Sequence, residues 1–303
     1  MRLNLTFPDS FFDEEVRDDY LVTSETKMIW AVLLDLLNEF QKVCDKHKLR
    51  WWADGGTLLG AVRHKGMIPW DDDIDVMMFR EDYNKLCEIG TKEFHYPYFF
   101  QTEETDKGSI RGHIQIRNSE TTAILNSEWN QKYPFNQGIF IDVFPLDNIP
   151  DNDDDFQKIV VKANNFKNRA RHIRNNTLFY HFRWDWNIFR MAKSILRYFI
   201  FSICFKYEKV YGEFQTEIQK YKGIPTKRIC KLVLFPVKMR RVWLREWFDG
   251  TRYMSFETLK VPVPSGYVEI LNTFYGDWKV FKKGENTHGG CFFDVTKPYT
   301  DYI

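Results

Sequence analysis

The chain of 303 residues is 44% hydrophobic, enough for a sizeable core and too much for a disordered or fibrous polypeptide. Forty-three Lys and Arg against 42 Asp and Glu leave a net charge of +1, so no global field recruits nucleic acid or an anionic membrane, and no nucleic-acid partner is expected. Five cysteines (Cys44, Cys87, Cys204, Cys230 and Cys291) are odd in number and never form a CxxC pair. They argue against a disulfide framework or a thiolate zinc site and fit a reducing cytosol.

Residues 1–23 form an acidic N-terminal segment without the apolar run of a signal peptide, so a cytoplasmic protein is expected. From residue 24 to 48, Ile29, Val32, Leu33, Leu36, Leu37, Phe40 and Val43 recur at the spacing of an amphipathic helix, with Thr23 or Ser24 as its cap. RWWADGG predicts a short strand ending on two glycines, and LLGAVRHKG a short helix closed by Gly66. DIDVMMF predicts a strand entering a buried sheet, followed by a helix over REDYNKLCEI. Further strands are expected at YPYFFQ, HIQIRN, TTAIL and GIFIDVFPLD, so that residues 24–150 read as one α+β unit.

Past Pro150, residues 151–250 read as mainly helical, with few turn signals before Gly212. Within them, residues 162–209 hold 11 Lys and Arg, 12 aromatics and only two acids. One reading is helices that pack aromatic faces on the core while Arg and Lys snorkel outward. The other is a basic, aromatic surface making peripheral contact with the inner face of the cell membrane, or with a lipid-linked or polyanionic acceptor. The most apolar run, Ile195 to Phe205, spans 11 residues and includes Arg197, short of the ~20 a spanning helix needs. At the end of the chain, a hairpin at Asp249-Gly250, a Pro-bounded strand and a helix from Ser265 to Tyr275 are expected, with residues 251–303 packing back on the core.

The chemistry concentrates in Trp70-Asp71-Asp72-Asp73-Ile74-Asp75-Val76. If this stretch is extended, Asp71, Asp73 and Asp75 share one face while Ile74 and Val76 enter the core. Crowded carboxylates raise one another's pKa unless a cation sits among them, and oxygen-only ligands favour Mg²⁺ or Mn²⁺. A calcium loop of EF-hand type is excluded, because its sixth and twelfth places hold Val76 and Asp82 instead of Gly and Glu. Upstream, Gly55, Gly56 and Thr57 form a turn opening a helix, whose N–H groups can hold phosphate, with Arg63 or His64 nearby. A further carboxylate on a neighbouring strand is expected from Asp142 in FIDVF, a costly residue to bury unless paired or metal-bound. His288 and Cys291 lie in a Gly-rich tail with no orienting third group, so a thiol–imidazole pair is not expected.

Three segments, GGTLLGAVRHKGMIPWDDDIDV, FIDVFPLD and VPVPSGYVEILNTFYGDW, together resemble the LicD family, which includes fukutin-related protein. The resemblance covers most of residues 25–150 and returns near 255–280. Residues 151–250 find no clear match, and the family's His-rich C-terminal ending is reduced to His288 in THGGC. It implies a nucleotidyltransferase-like mixed sheet flanked by helices, to which this chain adds a helical, aromatic and basic extension. It further implies transfer of a phospho-alcohol, often phosphocholine, from CDP-choline or another CDP-alcohol donor to a hydroxyl of a glycan or lipid-linked glycan acceptor.

Carried over, Gly55, Gly56 and Thr57 fall on the family's GG(S/T) turn, Asp73 and Asp75 on its paired acids, Asp71 on the preceding acid, and Asp142 on the acid of its FID segment. A metal would then be held by Asp71, Asp73, Asp75 and Asp142, with Asp73, Asp75 and Asp142 catalytic. Arg63 and Arg117 are candidate phosphate or donor contacts, and Trp51, Trp52 and Trp70 candidates for an aromatic box around choline. A nucleotide-sugar glycosyltransferase with an acidic D-x-D pair and an inactive glycan-binding scaffold are the alternatives.

Overall fold

A computed structural model describes residues 3–180, 187–234, 242–281 and 290–303. A small hairpin of β1 (Glu15–Arg17) and β2 (Tyr20–Val22) leads into helix α1 (Ser24–His47). Thr23 caps α1, its hydroxyl accepting from the Thr26 N–H at 3.2 Å. The predicted apolar stripe of α1, widened by Trp30 and Leu34, is buried from Val32 to Val43, with Ile29 partly buried.

Next come β3 (Trp52–Ala53), α2 (Gly55–Leu59) running into a π turn over Gly60–His64, β4 (Asp75–Phe79), α3 (Arg80–Glu93), β5 (Tyr98–Gln101), β6 (Ile114–Asn118), β7 (Thr122–Leu125) and β8 (Ile139–Ile149). The extension is α4 (Asp153–Asn175), α5 (Ile188–Cys204) and α6 (Tyr207–Ile218). The chain closes with β9 (Arg228–Cys230), β10 (Val242–Leu244), β11 (Thr251–Phe256), β12 (Leu259–Pro264), α7 (Tyr267–Tyr275) and β13 (Cys291–Asp294).

The long strand β8 organises the main sheet. It pairs parallel with β4 and antiparallel with β6 and, further along, with β9; β3 and β10 lie beyond β4 and β9, and β5 beyond β6. Ile139, Ile141 and Val143 of β8 turn into the core, while Phe140 and Asp142 alternate onto the opposite face. β4 is flanked by strands on both sides, which is why Val76–Phe79 can be wholly apolar. The architecture is α+β, as the alternation of patterns predicts. No described helix is long and apolar enough to cross a membrane.

Several local expectations are corrected. Strand β4 begins only at Asp75: the Asp71 N–H closes a turn onto the Ile68 carbonyl at 2.9 Å, and residues 71–74 that follow it are in no strand. The helix after the glycines ends on left-handed Lys65 rather than on Gly66. The C-terminal hairpin turns at Glu257-Thr258, with Glu257 at φ +49°, whereas Asp249-Gly250 precedes its open end. Glu257 holds that turn by accepting from Arg17 Nη2 at 3.0 Å and from the Met67 N–H at 2.9 Å, a long-range constraint no local pattern contains. β13 pairs with β7, so part of the tail is built into the structure beside the sheet.

Candidate active site

The backbone ladder lines up four polar side chains across the sheet. Asp142 is the register partner of Asp75 on parallel β4 and of Gln115 on antiparallel β6. On the far side, the Asp54 N–H donates to the Asp75 carbonyl at 3.0 Å, continuing the row past the end of β3. Asp75, Asp142 and Gln115 open onto a cavity of about 840 Å³. Gly55, Gly56, Arg63, Trp70, Lys231 and Tyr275 line it as well.

At its edge, carboxylate oxygens of Asp71, Asp72 and Asp73 lie within 4.8 Å of one another. Asp72 joins this cluster because residues 71–74 belong to no strand or helix. The Trp30 indole steadies this segment by donating to the Asp71 carbonyl at 2.9 Å. Glycine is required beside it: a β-carbon on Gly56 would collide with the Asp71 carboxylate, and Gly55 sits at φ +49° facing Asp75. Thr57 acts through the backbone, its Oγ1 accepting the Asp75 N–H at 2.9 Å.

Electrostatically the acids are frustrated. Burial, then the charge of Asp75, raises the Asp71 carboxyl to about 7. Burial and the neighbouring acids push Asp73 and Asp75 well above the usual carboxylate range. Asp142 differs. Burial alone would raise it, but His113 and Gln115 outweigh that and hold it low. His113 Nε2 lies 2.9 Å and Gln115 Nε2 2.7 Å from the same oxygen, Oδ1. To face a carboxylate, His113 Nε2 must carry the proton. An all-oxygen, crowded carboxylate set of this kind suits a hard divalent cation.

A second charged pair abuts the row. Asp54, fully buried, receives the Lys231 ammonium, and Asp54 Oδ1 also accepts the Gly55 N–H at 2.8 Å. Lys231 reaches it through an aromatic cage, its nitrogen 4.7 Å from the ring centre of Phe144 and 5.4 Å from that of Phe274. Its charge offsets part of the repulsion on Asp75.

The other sequence candidates divide. Arg63 lines the cavity, with Nη1 donating to the Trp278 carbonyl at 3.0 Å and the guanidinium 5.1 Å from the Phe281 ring centre. Arg117 lies beneath the wall. It donates to Gln101 at 2.6 Å and to the Gly138 carbonyl at 2.7 Å, braces Gln115 and lies 4.4 Å from the ring centre of Phe140, so it acts on the cavity through residues that line it. Trp51 and Trp52 are core residues, packed on Phe40 and Phe79 respectively, whereas Trp70 faces the cavity. Cys291 lines the cavity, and His288, with which no thiol–imidazole pair is expected, lies outside the described residues.

Sequence reasoning missed Lys231, His113, Asp72 and Arg111. His113 was legible in principle, since it stands just ahead of β6 and alternates with the polar Gln115 and Arg117 of that strand. Lys231 carries no local signal. Arg111, held by Glu128 at 2.8 and 2.6 Å, adds a positive group to the rim.

Residues 48–174 match the family model described as LicD/FKTN/FKRP, nucleotidyltransferase domain. The chain is 30% identical over 253 residues to the lipopolysaccharide cholinephosphotransferase LicD of Haemophilus influenzae, covering 82% of this chain and 88% of that protein. It is 50% identical over 101 residues to the mouse ribitol 5-phosphate transferase FKRP, covering 32% of this chain and 17% of that protein. Identity of 30% with a LicD protein, over more than four fifths of both chains, makes this chain a member of the LicD family.

Proposed function

We propose that this protein transfers a phospho-alcohol, phosphocholine foremost, from a CDP-activated donor to a hydroxyl of a cell-surface glycan or its lipid-linked precursor, releasing CMP. The observation that carries this reading is the convergence of acids from residues 71–73, β4 and β8 on one cavity that basic side chains also line. The activities named for the two relatives, on choline phosphate and ribitol 5-phosphate, support the reaction class.

Asp71, Asp73 and Asp75 would hold Mg²⁺ or Mn²⁺, with Asp142 at the rim of the same set. Bound there, the ion would neutralise the donor diphosphate and stabilise the charge that develops on departing CMP. The protein supplies positioning. The bare Gly55-Gly56 backbone lets the Asp71 and Asp75 carboxylates close in on the start of α2, while Arg63 and Arg111 face the donor phosphates from the cavity walls. The acceptor oxygen attacks the distal phosphorus, the bond from that phosphorus to the bridging oxygen breaks, and CMP leaves with the bonding pair. Asp142, anchored through Oδ1 by His113 and Gln115, takes the hydroxyl proton on Oδ2, which has no protein partner among the described residues. Trp70 on the cavity wall offers aromatic surface to a quaternary ammonium, which favours choline over an uncharged polyol.

Incubation with Mg²⁺, a panel of CDP-alcohols and nucleotide-sugars, and a glycan acceptor tests the reading. CMP release with the CDP-alcohols supports it. UDP release from nucleotide-sugars without CMP would assign the site to a glycosyltransferase.

A further inference from the structure

We propose that α5 is an interfacial anchor that seats the protein on an anionic lipid bilayer. This goes beyond the reaction and does not depend on it.

Among the helices of the extension, α4 and α6 bury apolar faces in the core, through Phe156, Ile159, Phe214 and Ile218 among others. Helix α5 buries no residue completely. At about 100° per residue, Ile188, Phe189, Leu196, Phe199, Ile200 and Ile203 fall on one side of it. These are exposed at 72, 88, 60, 54, 45 and 79% respectively. Such a contiguous apolar face is costly to leave in water and marks an interaction site.

The other flank is already occupied. Phe201 packs its ring 5.5 Å from that of His172, and Tyr198 lies 5.2 Å from Tyr180, which fixes the rotation of α5 with the apolar side outward.

Charge identifies the occupant. Arg190, Lys193 and Arg197 recur at i, i+3 and i+7, forming an exposed row directly beside the apolar face, and the helix contains no acidic residue. The neighbouring helices add exposed bases, Arg169 and Arg171 on α4 and Lys206 and Lys209 at the start of α6, the latter two flanking the exposed Glu208. An apolar stripe edged by basic side chains matches the layered chemistry of a membrane surface, acyl chains beneath anionic headgroups. Seventeen residues with three bases are too short and too charged to span a bilayer, so α5 lies in its plane.

The test is sedimentation of the full chain with sucrose-loaded vesicles of phosphatidylcholine containing one part in four phosphatidylglycerol. Binding is expected, and Phe189→Ser/Leu196→Ser/Ile203→Ser should abolish it while leaving the thermal midpoint unchanged. Arg190→Gln/Lys193→Gln/Arg197→Gln should weaken it on the order of a hundredfold, as should replacement by pure phosphatidylcholine vesicles. Failure to bind anionic vesicles overturns the proposal. So does retention of full binding by the serine variant. A third contrary result is a dimer that this variant dissociates while vesicles go unbound, since the face would then be an interface between copies of the chain.

Discussion

Asp75 and Asp142 are register partners on neighbouring parallel strands, so their proximity is fixed by main-chain geometry. The Asp142 N–H donates to the Ile74 carbonyl at 3.0 Å, and the Asp75 N–H to Thr57 Oγ1 at 2.9 Å. Both carboxylates are thereby held in place before any ligand arrives. Their environments are opposite: Asp75 is crowded by other acids and pushed up, Asp142 is hydrogen-bonded and held low. Two such carboxylates are suited to different tasks, one to bind a cation and one to accept a proton.

Asp75→Asn conserves shape and removes the charge. Transferase turnover should fall by about a thousandfold or more, an effect typical of losing a key electrostatic group. Circular dichroism and the urea midpoint should stay close to wild type. Full CMP release by this variant would contradict the assigned role.

Divalent cations should stabilise the protein in the absence of any substrate. At about 100 times its dissociation constant, Mg²⁺ or Mn²⁺ should add about 2.7 kcal/mol, read as a rise in thermal midpoint that EDTA reverses. Asp73→Asn/Asp75→Asn should be insensitive to the ion. An equal rise in that variant would place the cation elsewhere.

Lys231→Met keeps the apolar stem inside its aromatic cage but leaves Asp54 buried and uncompensated. Breaking a buried pair this way should cost about 3–5 kcal/mol, measured by urea denaturation. Adding Asp54→Asn should recover more than half of the loss. If the double variant is no more stable than Lys231→Met, the pair is not coupled.

Stability should rise with pH through Lys167. Burial, with help from Arg171 and Arg111, lowers its ammonium to about 7, although its Nζ donates to the Arg111 and Val233 carbonyls at 2.9 Å each. The unfolded chain, at about 10.4, therefore binds the proton that the folded chain has released. That difference makes stability grow between pH 7 and roughly 10 and shrink as pH falls back through 7. From pH 7 to 9 the wild type should gain about 2 kcal/mol more than Lys167→Met, read from urea midpoints; parallel curves would refute it.

Gly56→Ala should displace the Asp71 carboxylate, since the added methyl would occupy its space. Cation-dependent stabilisation should drop by at least tenfold in apparent affinity, while the urea midpoint without metal changes by less than about 1 kcal/mol. Unchanged affinity would show that Asp71 is not a ligand.

The amino-acid order by itself determined the elements and the identity of the acids. The periodicity of α1, the apolar run of β4 and the alternation in β8 are local properties, set by which side chains must leave water on a helix or strand of known repeat. Glycines 55 and 56 were readable for the same reason, because a requirement for no β-carbon is written in the residue type. Tertiary structure decided the rest. The segment that gathers Asp72 with Asp71 and Asp73 is tied down by a long-range bond from Trp30, and Arg117 left the candidate wall because Gln101 and Gly138 claim its guanidinium. Lys231 comes to Asp54 only because β9 pairs with β8, bringing distant chain to the same cavity. Whether the aromatic, basic stretch turns inward or outward was likewise undecided by composition: α4 and α6 found partners in the core, and α5 did not. Partner choice between segments far apart in the chain depends on the shape of the whole fold, which no local pattern of side chains encodes.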